Sequence, residues 1–221
     1  MSTILFVVSA ARSWTLADGA AHPTGFWAEE LLTPYRLLTA AGHRVDIATP
    51  GGRPPIADAA SVQEGDAEAL AAIPGLAAPL TLSTVDPAAY DAVFYPGGHG
   101  PMEDLAVDED SAALVTATLA AERPLALVCH GLAALLPART ATGEPAAAGR
   151  RLTAFSDEEE RQGGLADRAP FLLESALRAQ GAAVVVTEPW RDHVLVDGAL
   201  ITGQNPQSSG ATARALLDAL A

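Results

Sequence analysis

The chain contains one cysteine, Cys129, and a histidine and a glycine follow it directly in "LALVCHGLAALL", Leu125 to Leu136. A thiol beside an imidazole can act as a nucleophile with its own base and add to an electrophilic carbonyl carbon. The apolar run before Cys129 reads as a strand and the residues after Gly131 read as a helix, so the cysteine is expected at a nucleophile elbow above a sheet. The dipole and free N–H groups of a helix start there would lower the thiol pKa. Gly131 suits a tight backbone with no room for a Cβ, and the N–H of His130 would face an oxyanion on the substrate. The competing reading is packing, because unpaired cysteines are among the most buried residue types.

Two more segments bring chemistry to the same place. In "FYPGGHG", Phe94 to Gly100, the paired glycines at a strand end let a backbone N–H near Gly98 face a neighbouring loop, as an oxyanion hole requires. His99 either faces a ligand or is only part of that turn. In "TGFWAEELLTP" two acids, Glu29 and Glu30, are adjacent on a predicted helix. At about 100° per residue one can face solvent while the other points inward. A carboxyl held in an apolar pocket near a thiolate would have a raised pKa and could pass a proton. As a solvated pair, the two would only complement the helix dipole. Trp27 and Trp190 either wall a pocket or pack, and packing is expected of Trp27. His193, followed by "VLV", reads as a strand-edge residue.

These segments need a scaffold, and the pattern of the chain supplies one. β-branched apolar runs at 3–8, 44–49, 91–95, 124–128 and 183–188 read as strands, and "HVLVDGALITG" reads as a hairpin around Asp197-Gly198. Helical spacing marks 26–42 (with Pro34 inside it), 111–122, 170–182 and 206–220. Strands alternating with helices argue a mostly parallel sheet covered on both faces, with its site at the carboxyl ends of the strands. Loops 9–25, 96–104 and 129–131 lie at those ends. Residues 1–221 read as one domain, with a possible small excursion at 50–87 rich in Gly, Pro and Ala and carrying a short helix near 66–73.

Composition excludes several functions. Lys+Arg is 13 against Asp+Glu 27, a net charge of −14; such a surface repels phosphate backbones and anionic lipid, so neither nucleic acid nor membrane is expected as a partner. All the basic side chains are arginines, which removes lysine Schiff-base chemistry and the P-loop lysine. One cysteine makes no internal disulfide and no Cys-rich zinc site. The opening "MSTILFVVSAARSW" lacks a charged leader region and its apolar run is short, so a cytoplasmic location is the expectation.

The segments "TGFWAEELLTP", "GHRVDIATPGG", "YDAVFYPGGHGPMEDL", "LALVCHGLAALL", "RLTAFSDEEE" and "VDGALITGQNPQSS" occur in the order of the ThiJ/PfpI superfamily, which the chain resembles across nearly its whole length. It is most similar to the branch with glutathione-independent glyoxalases (glyoxalase III) and a heat-shock chaperone. The resemblance implies a flavodoxin-like three-layer α/β sandwich. It also implies Cys129 as nucleophile, His130 beside it, Glu30 as the buried acid at its sulfur, and an oxyanion hole around Gly98 and His130. An acid behind the histidine is implied within "TAFSDEEE"; spacing selects Glu160, with Glu158 and Glu159 close by. The motif usually reads Cys-His-Gly-Pro, whereas here Leu132 replaces the proline, and Ala154 stands where glycine is common. The expected activity is conversion of methylglyoxal-like 2-oxoaldehydes to 2-hydroxy acids such as D-lactate, without cofactor or metal, by a homodimer acting on a small carbonyl substrate. Deglycation of early adducts and hydrolysis or hydration of small amide-like or isonitrile substrates are related expectations. A redox sensor or holding chaperone is the non-enzymatic one. A glutamine amidotransferase is disfavoured, because its late His-x-Glu is absent.

Overall fold

The computed structural model describes residues Met1–Ala221. Seven strands form the main sheet: β1 (Thr3–Val7), β2 (Arg44–Thr49), β3 (Leu80–Thr81), β4 (Ala92–Tyr95), β5 (Leu125–Val128), β6 (Val194–Asp197) and β7 (Leu200–Gly203). Their spatial order is β6-β7-β5-β4-β1-β2-β3. Every neighbouring pair is parallel except the β6–β7 hairpin that closes one edge. The period-two alternation of a strand divides the core in two. On β1, Leu5 and Val7 enter one cluster of 32 buried residues, while Ile4 and Phe6 enter another of 18. Helix α2 (Glu109–Ala120) covers the first face through Leu114, Val115 and Leu119, and a further helix there, Leu173–Ala179, adds Leu173 and Leu177. Helix α1 (Ala28–Ala40) covers the other face through Leu31, Leu32 and Leu38, together with Leu216 from the C-terminal helix Ser209–Ala219. The result is a flavodoxin-like α/β sandwich of three layers. Its α1 helix spans both sides of Pro34. No helix is long and apolar enough to cross a membrane.

Three local expectations need correction. The run 183–188 is a strand only at Ala183–Val184, which pairs with Arg151–Leu152 away from the main sheet. The hairpin around Asp197-Gly198 explains this, since β6 already occupies the sheet edge beside β7. The polar loop 9–25 contains a small hairpin, Ser13–Thr15 against Ala21–Pro23. The segment after Gly131 belongs to one 3-10 stretch, Cys129–Leu135, instead of an α-helix. Within 50–87 lie two short helices, Asp66–Ala71 and Pro74–Ala77, before β3 rejoins the sheet edge.

The carboxyl ends of β1, β4 and β5 lie side by side, and the loops that leave them are tied together. Asp104 accepts from the N–H groups of Ala10 (2.8 Å), Ala11 (3.0 Å) and Leu105 (2.7 Å) and from the Ser9 hydroxyl (2.8 Å), fixing the loop after β1 to the segment after β4. The loops after β4 and β5 meet with no side chain between them. A Cβ on Gly131 would lie 2.5 Å from the Tyr95 carbonyl oxygen, and one on Gly97 would lie 2.7 Å from the His130 nitrogen. Because the obstruction is backbone, it cannot rotate away. Gly131→Ala is therefore expected to destabilise the fold by about 1–3 kcal/mol in urea unfolding, as overpacking does. Gly163→Ala meets no atom within 4 Å and is expected to be neutral or to stabilise by about 0.4–1 kcal/mol.

Candidate active site

Cys129 is one of three non-glycine residues with positive φ, at 57°. That conformation costs an L-residue roughly 1–2 kcal/mol, and here the close-packed glycine loops hold it. The turn directs the thiol to the carboxyl end of the sheet, where Cys129 is only 3% exposed. Burial, then the neighbouring Glu30, push its thiol pKa well up, while the backbone N–H groups of His130 and Gly98, which donate to it, pull it down. A lowered thiol pKa is thus not what the turn produces. The 3-10 stretch begins at the cysteine itself, and desolvation outweighs the two donors.

Glu30 lies in the first turn of α1, fully buried, whereas Glu29 is exposed. One carboxyl oxygen of Glu30, Oε2, accepts from the Gly97 N–H at 2.7 Å. The other, Oε1, makes no hydrogen bond to nitrogen or oxygen; the Cys129 thiol is the group that interacts with this carboxyl. Burial is the main cause that raises the Glu30 pKa to about 8, against the lowering effects of Cys129 and the Gly97 N–H. At neutral pH this carboxyl is predominantly protonated and can donate.

On the opposite side of the thiol, His130 Nδ1 lies 3.4 Å from Sγ. Its Nε2 is 2.7 Å from Glu160 Oε2, and the second oxygen of Glu160 is 2.9 Å from His99 Nε2. Burial pushes the Glu160 carboxyl up, but the two imidazoles together hold it well below the usual carboxylate range. Burial and then His99 push the His130 pKa down, so its ring is neutral near pH 7 despite Glu160. A neutral ring that donates from Nε2 to a carboxylate has its lone pair on Nδ1, and that atom faces the sulfur. Phe155 covers the His130 ring with centroids 4.4 Å apart, and Trp14 stacks on His99 at 5.2 Å.

The three consecutive glutamates on the helix Asp157–Gly163 separate cleanly. Glu158 is exposed and meets Arg161 and Gln162. Glu159 is wholly buried and accepts from the N–H and hydroxyl of Ser156, from the side chains of Gln204 and Asn205, and from the Trp190 N–H. Glu160 alone reaches the imidazoles. The spacing of Ser156 and Glu159 is that of a capping box, a sequence signal that assigns Glu159 to the helix start and leaves Glu160 as the inward acid.

A cavity of about 560 Å³ opens over Cys129. Gly98, His99, His130 and Glu160 line it together with Phe155, Leu165 and Trp190. Trp27 also lines it, so that residue does more than pack. Gly131 lies beneath, against Tyr95 and Pro96. His193 is elsewhere, its backbone N–H donating to Ser208 beside β6. Sequence reasoning missed Phe155, although it lies within "RLTAFSDEEE", and Leu165, which no periodicity or motif marks. The ligand atoms of His99, His130 and Glu160 lie within 4.8 Å of one another, a set of the kind that binds divalent metal. Both carboxylate oxygens of that set are already engaged by the imidazoles.

Comparison with known proteins places this geometry in a family. The chain is 32% identical over 197 residues to the glutamine amidotransferase-like class 1 domain-containing protein 1 of Bos taurus, covering 88% of this chain and 87% of that protein. It is 28% identical over 221 residues to the protein/nucleic acid deglycase HchA of Staphylococcus aureus, covering 93% and 75%. The crystal structure of glyoxalase III from Candida albicans superposes with a TM-score of 0.83 at 25% identity, covering 99% of this chain and 97% of that one. The DJ-1/PfpI family model matches residues 22–219, and the chain belongs to the DJ-1/PfpI family.

Proposed function

We propose that this protein is a cofactor-independent, cysteine-dependent glyoxalase that converts 2-oxoaldehydes of the methylglyoxal type to 2-hydroxy acids. The observation that carries this reading is the pairing around one sulfur: a neutral imidazole with its lone pair towards Sγ and a buried, protonated carboxyl. Isomerising an oxoaldehyde needs a nucleophile, a base and an acid at once. Its likeness to glyoxalase III and to a deglycase supports the same class.

In this mechanism His130 Nδ1 takes the thiol proton as Sγ attacks the aldehyde carbon. The N–H groups of Gly98 and His130 hold the oxyanion, which then takes the proton from His130 to give a hemithioacetal. His130, neutral again, removes the hydrogen from that carbon while the Glu30 carboxyl protonates the adjacent carbonyl oxygen, giving an enediol. His130 returns its proton to the second carbon while the hydroxyl proton on the first passes to the Glu30 carboxylate, which leaves a thioester with both groups restored, and water releases the 2-hydroxy acid and the thiol. One water is consumed and no electrons leave the substrate. Glu160 holds His130 in the tautomer this sequence requires. Early carbonyl adducts of amines and thiols could enter by the same attack, which is the deglycase variant of this reading. The upward shift of the thiol argues against oxidation driven by a standing thiolate.

Steady-state turnover of methylglyoxal in the absence of glutathione tests the proposal. Wild type is expected to form lactate over many cycles, Cys129→Ala to form none, and Glu30→Gln to lose about 10²–10⁴-fold in kcat. Wild type that forms no lactate while its thiol is stoichiometrically oxidised overturns the proposal in favour of a sensor.

The pH profile supplies a second test. Protonated Glu30 is the working form, so kcat/KM is expected to fall as pH rises through about 8. The acid limb is expected below the ordinary histidine pKa of 6.5, because the His130 pKa is depressed and the ring stays neutral further into acid. Glu30→Gln should remove the alkaline limb near 8; a limb that persists there in the variant rules out Glu30 as its source.

A further inference from the structure

The cavity is far larger than a three-carbon oxoaldehyde. Its volume of about 560 Å³ is in the range of ~300–1,000 Å³ that accommodates drug-sized ligands. Methylglyoxal bound to Cys129 would fill one end, leaving the side walled by Phe155 and Trp190 to water.

Trp190 is held there by construction. Its φ is 62°, the left-handed region that a bulky residue avoids. Two contacts keep it so: its backbone N–H donates to buried Glu159 at 2.8 Å, and its indole Nε1 donates to Gln162 at 2.7 Å. The ring meets Phe155 edge-on, with centroids 5.5 Å apart at 69°. Yet the residue remains 38% exposed. Packing alone does not account for a large aromatic side chain that is strained, pinned at both ends and still uncovered. Leu165 and Trp27 add further apolar wall. Phe155 in turn covers the His130 ring, so the aromatic wall runs directly up to the base.

We propose that the Phe155–Trp190 side of the cavity is a subsite for a flat apolar substituent, and that the preferred substrates are 2-oxoaldehydes bearing an aryl group in place of methyl. This rests on the glyoxalase reading for its chemistry, because the aldehyde carbon must still reach Cys129. A ring laid against the wall that Phe155 and Trp190 form together gains buried apolar area and aromatic contact that a methyl group cannot.

Two measurements test the proposal. In Cys129→Ala protein, which cannot turn over, mandelate and lactate are titrated by calorimetry as the two product acids. Both are monoanions, so the protein's negative charge opposes them alike. Mandelate is expected to bind at least about tenfold more tightly, and Trp190→Gly in the same background should bring the two within about threefold. Glycine adopts φ 62° without strain, so the chain path is kept, and Trp190→Phe should retain most of the preference. In active protein, kcat/KM for phenylglyoxal relative to methylglyoxal should exceed about ten and collapse in Trp190→Gly. Equal binding of the two acids, or a preference undiminished in Trp190→Gly, overturns the subsite even if methylglyoxal is turned over. Preferential mandelate binding that depends on Trp190, with neither aldehyde turned over, retains the subsite and sinks the glyoxalase reading.

Discussion

Everything at this site depends on two loops touching backbone to backbone. The loop after β4 brings Gly97, the loop after β5 brings Gly131, and at each contact a Cβ would collide with a carbonyl or amide, while Gly98 packs as closely on the Gly25–Trp27 backbone. This closeness delivers the N–H groups of Gly98 and His130 to the sulfur of Cys129. It also brings the Gly97 N–H to Glu30 on the far side. The strained turn at Cys129 is held by the same contact, since the chain must leave β5 and pass beneath Tyr95 and Pro96 without widening. The sheet supports this by placing β4 directly between β5 and β1.

Within that frame, two carboxyls close to one thiol are driven in opposite directions. Glu30 has a single N–H partner and no cation, so burial prevails and the acid keeps its proton. Glu160 is also largely buried, but two imidazoles engage its two oxygens and charge attraction prevails. Separating the pKa values of like groups by environment is how one pocket holds an acid and an anion at the same pH. His130 stands between them. Burial and His99 hold it neutral, and the Glu160 anion decides which nitrogen carries its proton.

Much of this arrangement is legible in the amino-acid sequence. The alternation of apolar strands and amphipathic helices is a direct imprint of a sheet covered on two faces, and Asp197-Gly198 marks the closing hairpin. Cys129, His130, Gly98 and Glu30 stand out because rare residue types, or glycines at strand ends, carry positional meaning. The direction of the thiol shift is not legible, because it depends on how completely the pocket is desolvated, which is a three-dimensional quantity. The strand expected at 183–188 is cut short for a related reason: local β preference cannot register that the hairpin has already taken the sheet edge. Phe155 and Leu165 are ordinary apolar residues in sequence and become pocket walls only through tertiary packing.

The helix Asp157–Gly163 carries one more connection. Glu159 and Glu160 are successive residues about 100° apart on one helical turn, and they serve different parts of the site. Glu160 orients the His130 imidazole, while Glu159 caps its own helix and holds the Trp190 backbone and the Asn205 and Gln204 side chains beyond β7. A shift of this helix would therefore move the imidazole and the aromatic wall together. Rigid placement of that one turn, secured by the reciprocal Ser156–Glu159 cap, keeps the reacting end and the far wall of the cavity in fixed register. Two non-glycine residues, Cys129 and Trp190, can both sit at positive φ around one pocket because each is held by its neighbours against its own preference. The glycine loops hold Cys129 and Glu159 holds Trp190, so the strain at either end of the cavity is balanced by contacts made outside it.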